Sequence, residues 1–152
     1  MVVNQLSSSV MQELRILLEH MNVCALALEE ISKQEQKAIH ILDSDRIMLL
    51  ADRRVDAHQK LGQLEAECHA LLKQQNIPSD MTLEMVIDMY GGAEARDLQA
   101  IRRKLYNRVL SVDKGTQETR LRLLAAYSVT STILQSLGLT QSNNTYNRSG
   151  AK

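Results

Sequence analysis

Apolar side chains return at alternating steps of three and four residues along three long stretches of this chain, and no other feature limits its fold so tightly. Side chains so spaced share one face of an α-helix. The chain must therefore wind into helices and bury their stripes against one another. In the first stretch, from about Ser9 to Leu42, the stripe is Leu14, Leu18, Met21, Ala25 and Leu28. Leu17, Cys24, Ile31 and Ala38 repeat every seven residues on its flank. The spacing predicts the broad apolar face of a bundle helix rather than the narrow seam of a two-stranded coiled coil. Ser9 followed by Gln12 matches a capping box at the start. Glu29 and Lys33 are placed for an i,i+4 ion pair on the wet side.

Asp43-Ser44-Asp45 offers N-cap chemistry, which predicts a break or sharp turn. No Gly or Pro enforces it, so one continuous helix is also compatible with the pattern. The second helix is expected from Arg46 to about Gln75, with a seam of Ile47, Leu50, Arg54, Ala57, Leu61, Leu64, Cys68 and Leu71. Arg54 is the one charge in that seam; its stem can cover apolar surface while the guanidinium reaches the rim. Gly62, mid-helix, is expected to cost about 1 kcal/mol relative to Ala. Asn76-Ile77-Pro78-Ser79-Asp80 is the clearest punctuation, since Pro78 cannot continue a helix and Ser79 or Asp80 can cap the next. A short helix from Thr82 to Tyr90 then ends at Gly91-Gly92. The last helix is expected from Ala93 to Leu137. Leu98, Leu105, Val112, Thr119, Ala126 and Ile133 fall every seven residues along it, partnered by Val109, Leu123 and Leu137. Its polar middle, Ser111 to Thr119, contains Gly115 and is expected to be a weak point. Gly138 suits a helix-ending position, with Leu139 placed to fold back on Leu134. From Thr140 to Lys152 there is little apolar surface to bury, and the tail is expected to be disordered.

The fold class is therefore all-α: an antiparallel bundle of three long, coiled-coil-like amphipathic helices with a short linker helix and a disordered C-terminal tail. Residues 1–139 are expected to form a single domain and 140–152 the tail. Composition agrees, for there is no Trp, no Phe and only four Tyr, which leaves few of the residues that favour a sheet. The 18 basic and 18 acidic residues cancel. No long-range field then draws the chain to nucleic acid or an anionic surface. Neither a signal peptide nor a run approaching the ~20 residues of a membrane span is present, so the protein is expected in the cytoplasm, without membrane insertion.

No residue pattern supports a catalytic, cofactor or metal site. Cys24 and Cys68 form no CxxC and are expected to be buried thiols. His20, His40, His58 and His69 have no HxxH or HExxH spacing, and the adjacent Cys68 and His69 point about 100° apart on a helix. Arg102-Arg103-Lys104 with Arg108 reads as a solvated helix face. Gly91-Gly92 lacks the spacing of a phosphate loop and reads as a turn.

One segment departs from this plain picture. Beside the stripe Leu123, Ala126, Ile133 and Leu137, expected to face the bundle, runs a second that includes Leu124, Tyr127 and Leu134. A helix apolar on more than one face suits either a partner or burial among three helices at that end. The partner-binding strip is expected at Leu121, Leu124, Tyr127, Ser131 and Leu134. Two kinds of protein fit: a binding module, or a non-catalytic coiled-coil scaffold that self-associates.

With its segments placed, the chain resembles the FlgN family of flagellar type III export chaperones over about Leu14 to Gly150. The resemblance rests on Leu17-Leu18-Glu19 followed by Ala27-Leu28-Glu29, the acidic break at Asp43, and Arg54 ahead of Leu61 to Glu65. Met81-Thr82-Leu83 through Leu98 resembles the family's short helix and linker, and Tyr146-Asn147-Arg148-Ser149-Gly150 its aromatic-to-glycine ending. Two features depart. Thr116, Gln117 and Thr119 stand where members carry asparagines ahead of a Leu-Leu pair, here Leu123-Leu124, and the chain is neutral where members tend to be acidic. The resemblance implies a cytosolic, non-enzymatic chaperone that needs no cofactor. Its clients would be the hook-filament junction (hook-associated) proteins, FlgK- and FlgL-like. It would hold their C-terminal helical region through its own last helix and deliver them to the flagellar export gate and ATPase complex.

Overall fold

Short polar side chains open the first three helices by satisfying backbone N–H groups that have no intrahelical acceptor. The computed structural model describes residues 5–138. It places α1 at Ser8–His40, α2 at Ser44–Gln74, α3 at Leu83–Tyr90, a single 3₁₀ turn at Gly92–Glu94 and α4 at Ala95–Ser136. The described residues include no strand, in keeping with an all-α fold. The expected disordered tail, the return of Leu139 onto Leu134 and the ending Tyr146 to Gly150 lie outside the described residues.

The capping residues differ from expectation at two helices. Ser7, not Ser9, caps α1, its Oγ accepting from Val10 N at 3.2 Å. Thr82, not Ser79 or Asp80, caps α3 by accepting from Met85 N at 3.3 Å. Asp43 caps α2 as its chemistry suggested, accepting from Arg46 N at 3.1 Å. An extended Ser7 or Thr82 can turn its hydroxyl back toward the third residue on, whereas Ser9 already lies inside the helix.

The first two helices are separate, and a leucine makes the break. Leu42 takes the left-handed conformation at φ 56°. Asp43 N then donates to Ala38 O at 2.9 Å and Leu42 N to Ile39 O at 3.1 Å, which is a Schellman closure. Asp43 thus closes α1 and caps α2 within one residue. The end of α2 repeats the device: Asn76 has φ 60°, Asn76 N donates to Lys73 O at 3.0 Å, and Ile77 N to Leu72 O at 3.2 Å. Ile77 then enters the core.

Residues 5–116 pack as one unit, and Gln117 opens a second. In the first, Leu14, Leu18 and Ala25 of α1 meet Cys68 and Leu71 of α2, Val86 and Ile87 of α3, and Leu98 and Leu105 of α4. Most stripe positions read from the sequence are buried or half-buried here, but Val109, expected to partner the α4 stripe, is exposed because no helix covers that flank. Contacts from Arg15 to Glu94 and from Glu29 to Arg108 advance together along α1 and α4, so these two run in the same direction. The tight turn at Leu42 sends α2 back against them, giving an up-down-up arrangement. Short α3 is held to α4 by Gln99, which is buried and donates from Nε2 to Glu84 O (2.9 Å) and Asp88 Oδ1 (2.7 Å).

Three polar readings change in the structure. Glu29 pairs with Arg108 at 3.3 Å rather than with Lys33, because α4 lies over that face. Arg102 and Arg108 are half-buried rather than solvated; Arg102 bonds Gln99 Oε1 at 2.6 Å and lies 3.6 Å from Glu84. The third is Arg54, whose guanidinium stays inside. Its Nε donates to both carboxylate oxygens of Glu35 at 3.2 Å, its Nη2 to Glu35 Oε1 and to Ser32 Oγ at 2.8 Å, and its Nη1 to Thr116 Oγ1 at 2.7 Å. The Glu35 side chain is only 6% exposed and that of Arg54 13%. One polar layer therefore ties three helices together. Gly115 is its close-approach point, because a Cβ there would stand 3.1 Å from Ser32 Oγ and 3.2 Å from Ser32 Cβ. α4 is continuous through the polar stretch Ser111 to Thr119, and the first unit ends and the second begins within it.

Removing one partner of a buried ion pair leaves the other charge unsolvated. Arg54→Met is expected to lower unfolding free energy by about 3–5 kcal/mol in denaturant titrations, and adding Glu35→Met to recover most of that loss. Glycine-to-alanine changes at two helical sites should have opposite signs. Gly62→Ala, with open space around its Cβ, gains up to ~1 kcal/mol. Gly115→Ala loses stability, because Ser32 cannot retreat without breaking its bond to Arg54. Thermal melts of the two variants check this.

His58 adds a pH dependence. Partial burial first, and then the Arg54 charge, hold its pKa below the ordinary imidazole value, with Glu35 opposing. The unfolded chain then binds a proton more readily than the folded one below about pH 6.5. Stability is full above that value and falls as the pH drops through it. Comparing urea midpoints at pH 7 and pH 5.5, His58→Gln is expected to show a smaller drop than the natural chain.

Candidate partner-binding surface

The seven-residue stripe of α4 is buried at Leu98, Leu105, Val112 and Thr119, and there burial stops. Beyond Thr119 no described residue of the helix is buried. Within the second unit, Gln117 to Gly138, the strip expected to bind a partner lies on the surface. Leu124 is 58% exposed and Tyr127 73%, Leu121 and Leu134 are exposed as well, and Ser131 is half-buried. Leu121, Leu124, Tyr127, Ser131 and Leu134 follow one another at steps of three or four residues and so share a flank of the helix. The helix ends as the sequence suggested: Gly138 takes φ 76° and its N–H donates to Gln135 O at 3.1 Å.

The neighbouring stripe overturns an expectation. Leu123, Ile133 and Leu137 were expected to face the bundle as core, yet Leu123 is 39% exposed and Ile133 52%, and Leu137 is exposed too. A heptad fixes which residues share a face but not whether a second helix covers it. α4 has 42 residues against 33 in α1 and 31 in α2. Val129, also exposed, belongs with them at the i−4 position from Ile133, a spacing that the seven-residue count passes over. Among the described residues of this segment after Thr119, none is buried.

Sequence reasoning also missed a groove in the first unit. A cavity of about 890 Å³ lies between the C-terminal half of α2, the 76–83 connection, and Leu18, Met21 and Leu105. It exists because the closure at Asn76 folds Ile77 and Pro78 back toward the core, a course that composition cannot reveal. The titratable groups on it are Glu65, Cys68, His69 and Lys73. Glu65 is bonded to His69 Nε2 at 2.8 Å. Burial, and secondarily the charge of Glu65, push the Cys68 thiol up to about 11, so the sulfur is protonated at neutral pH and a poor nucleophile. Cys24 and Cys68 are both free and buried, as expected. Among the described residues no group of three or more His, Cys, Asp or Glu is arranged to hold a metal ion, and no helix is long and apolar enough to cross a membrane.

What the geometry offers is contact area rather than chemistry. Large apolar side chains stand exposed on one uninterrupted helical segment, held in helical register with no counterpart of their own. Residues 10–152 match the model of the FlgN family, described as FlgN protein. No curated protein and no solved structure matches the chain. The match spans nearly the whole sequence, and the chain belongs to the FlgN family of flagellar export chaperones.

Proposed function

We propose that this chain binds the C-terminal helical region of flagellar hook-filament junction proteins, the FlgK- and FlgL-like hook-associated proteins, on the strip Leu121, Leu124, Tyr127, Ser131 and Leu134. By covering that region it prevents premature assembly, and it delivers the client to the type III export gate and ATPase complex. No substrate is turned over. The observation that carries the reading is the exposure of Leu124 and Tyr127 on a helix whose stripe is otherwise buried upstream. An amphipathic helix of a client can lay its own apolar face along such a strip, with anchors repeating at three and four residues. Exposed apolar surface of this kind is costly in water and is relieved when a partner covers it.

Binding that depends on the strip has a clear consequence. Each large side chain buried on association contributes about 1.5–3 kcal/mol, so replacing both Leu124 and Tyr127 with Gln is expected to weaken client binding a hundredfold or more. The melting temperature should stay within a few degrees, because these side chains already face water. Calorimetric titration of the C-terminal region of a junction protein from the same bacterium, beside a thermal melt, checks both. Unchanged affinity, or a variant that unfolds, would show that the strip has been assigned wrongly.

A further inference from the structure

The apolar surface of the second unit is wider than one docking helix can cover. Counted at ~100° per residue, it runs from Val129, Ile133 and Leu137 on one side to Leu134, Tyr127 and Leu124 on the other, an arc of about 220°. A helix docked by a single face presents a stripe of roughly 100° or somewhat more. All six of these side chains are exposed. The rest of the circumference holds Ser128, Thr132, Gln135 and Ser136 together with Ala125 and the exposed Leu121. This segment is thus built like the central helix of a packed group, lacking helices on two sides.

Charge says what those missing helices carry. From Gln117 to Gly138 the charged side chains are Glu118, Arg120 and Arg122, so the unit carries a net positive charge. Arg120 lies in line with Tyr127, Ser131 and Leu134, and Arg122 in line with Ala126, Val129, Ile133 and Leu137, at steps of three, four or seven. Each apolar face therefore starts with one arginine at the same end. Neither arginine has an ion-pair partner among the described residues. A second copy of the same segment supplies one carboxylate, Glu118, against two arginines. Parallel copies would set arginine against arginine, and antiparallel copies would set each arginine against an uncharged end.

We propose that the client presents two amphipathic helices, one to each face, and that each carries a carboxylate positioned to meet Arg120 or Arg122. This rests on the client-binding reading above and adds the second face, the second helix and the sign of the charge. The experiment uses the full chain and the C-terminal region of a junction protein from the same bacterium, titrated by calorimetry. Val129→Gln with Ile133→Gln is expected to weaken binding at least tenfold while leaving the thermal melt of the free chain within a few degrees. Arg122→Glu is expected to weaken it at least fivefold at low salt, and the difference should shrink at high salt. Wild-type-like affinity for the Val129/Ile133 variant, with Leu124→Gln/Tyr127→Gln still impaired, overturns the two-helix client and leaves the single strip standing. A salt-independent or absent effect of Arg122→Glu overturns the acidic match. A free chain that sediments as a dimer, and becomes monomeric on replacing Val129 and Ile133, overturns the proposal in favour of a second copy on that face. If the natural chain binds no junction protein, the client reading fails and this proposal with it.

Discussion

The buried pair of Arg54 and Glu35 is the constraint around which the first unit is arranged. Two charges withdrawn from water cost several kcal/mol each, and only good geometry with further hydrogen bonds offsets that. Here the guanidinium meets Glu35 with two of its nitrogens and spends its remaining reach on Ser32 and Thr116. Those partners sit on α1 and α4 while Arg54 belongs to α2, so the pair is satisfied in one alignment of the three helices. Aliphatic contacts are non-directional and set the alignment of helices less sharply than hydrogen bonds do. A buried arginine does not tolerate a shift of one helix past another. The neighbouring features follow: Gly115 is small where α1 must come close, and Thr116 closes its own hydroxyl onto Val112 O at 2.9 Å while accepting from Arg54.

Helix endings do the complementary work of setting lengths. Leu42 and Asn76 both enter the left-handed region, which costs a residue with a Cβ about 1–2 kcal/mol, more readily borne by asparagine than by leucine. The cost is offset by carbonyls satisfied at each closure and, at Asn76, by the entry of Ile77 into the core. These two turns fix α1 at 33 residues and α2 at 31. Nothing comparable interrupts α4, which extends over 42.

That difference in length bears on function. A bundle that binds nothing gains by ending its helices together, since an apolar stripe left in water contributes nothing to folding. The segment after Thr119 keeps its leucines, tyrosine and isoleucine exposed, and the proposed client contact draws on that surface. The proposed site needs no unusual backbone or perturbed group. As proposed, it needs regular helical spacing and apolar side chains that stand exposed.

By itself the sequence determined the helical class, the order of the helices and most of the core. Period alone shows which residues share a face, and Leu14, Leu18, Leu98 and Leu105 lie on the faces that the packed helices bury. It also marked Leu121 to Leu134 as a second apolar strip, and its pattern carried the family. Only the tertiary structure decided what each face meets. Arg54 reads as a rim residue until Glu35, nineteen positions away in the chain, is brought against it. Glu29 pairs with Arg108 rather than Lys33 because a helix far along the chain lies over it. Leu42 carries no turn signal, since leucine favours continuing a helix, and the closure depends on where the next helix must go. Ile133 and Leu124 repeat as regularly as Leu98. Whether such a residue is core or surface depends on whether a second helix lies against it, and periodicity within one helix carries no information about that.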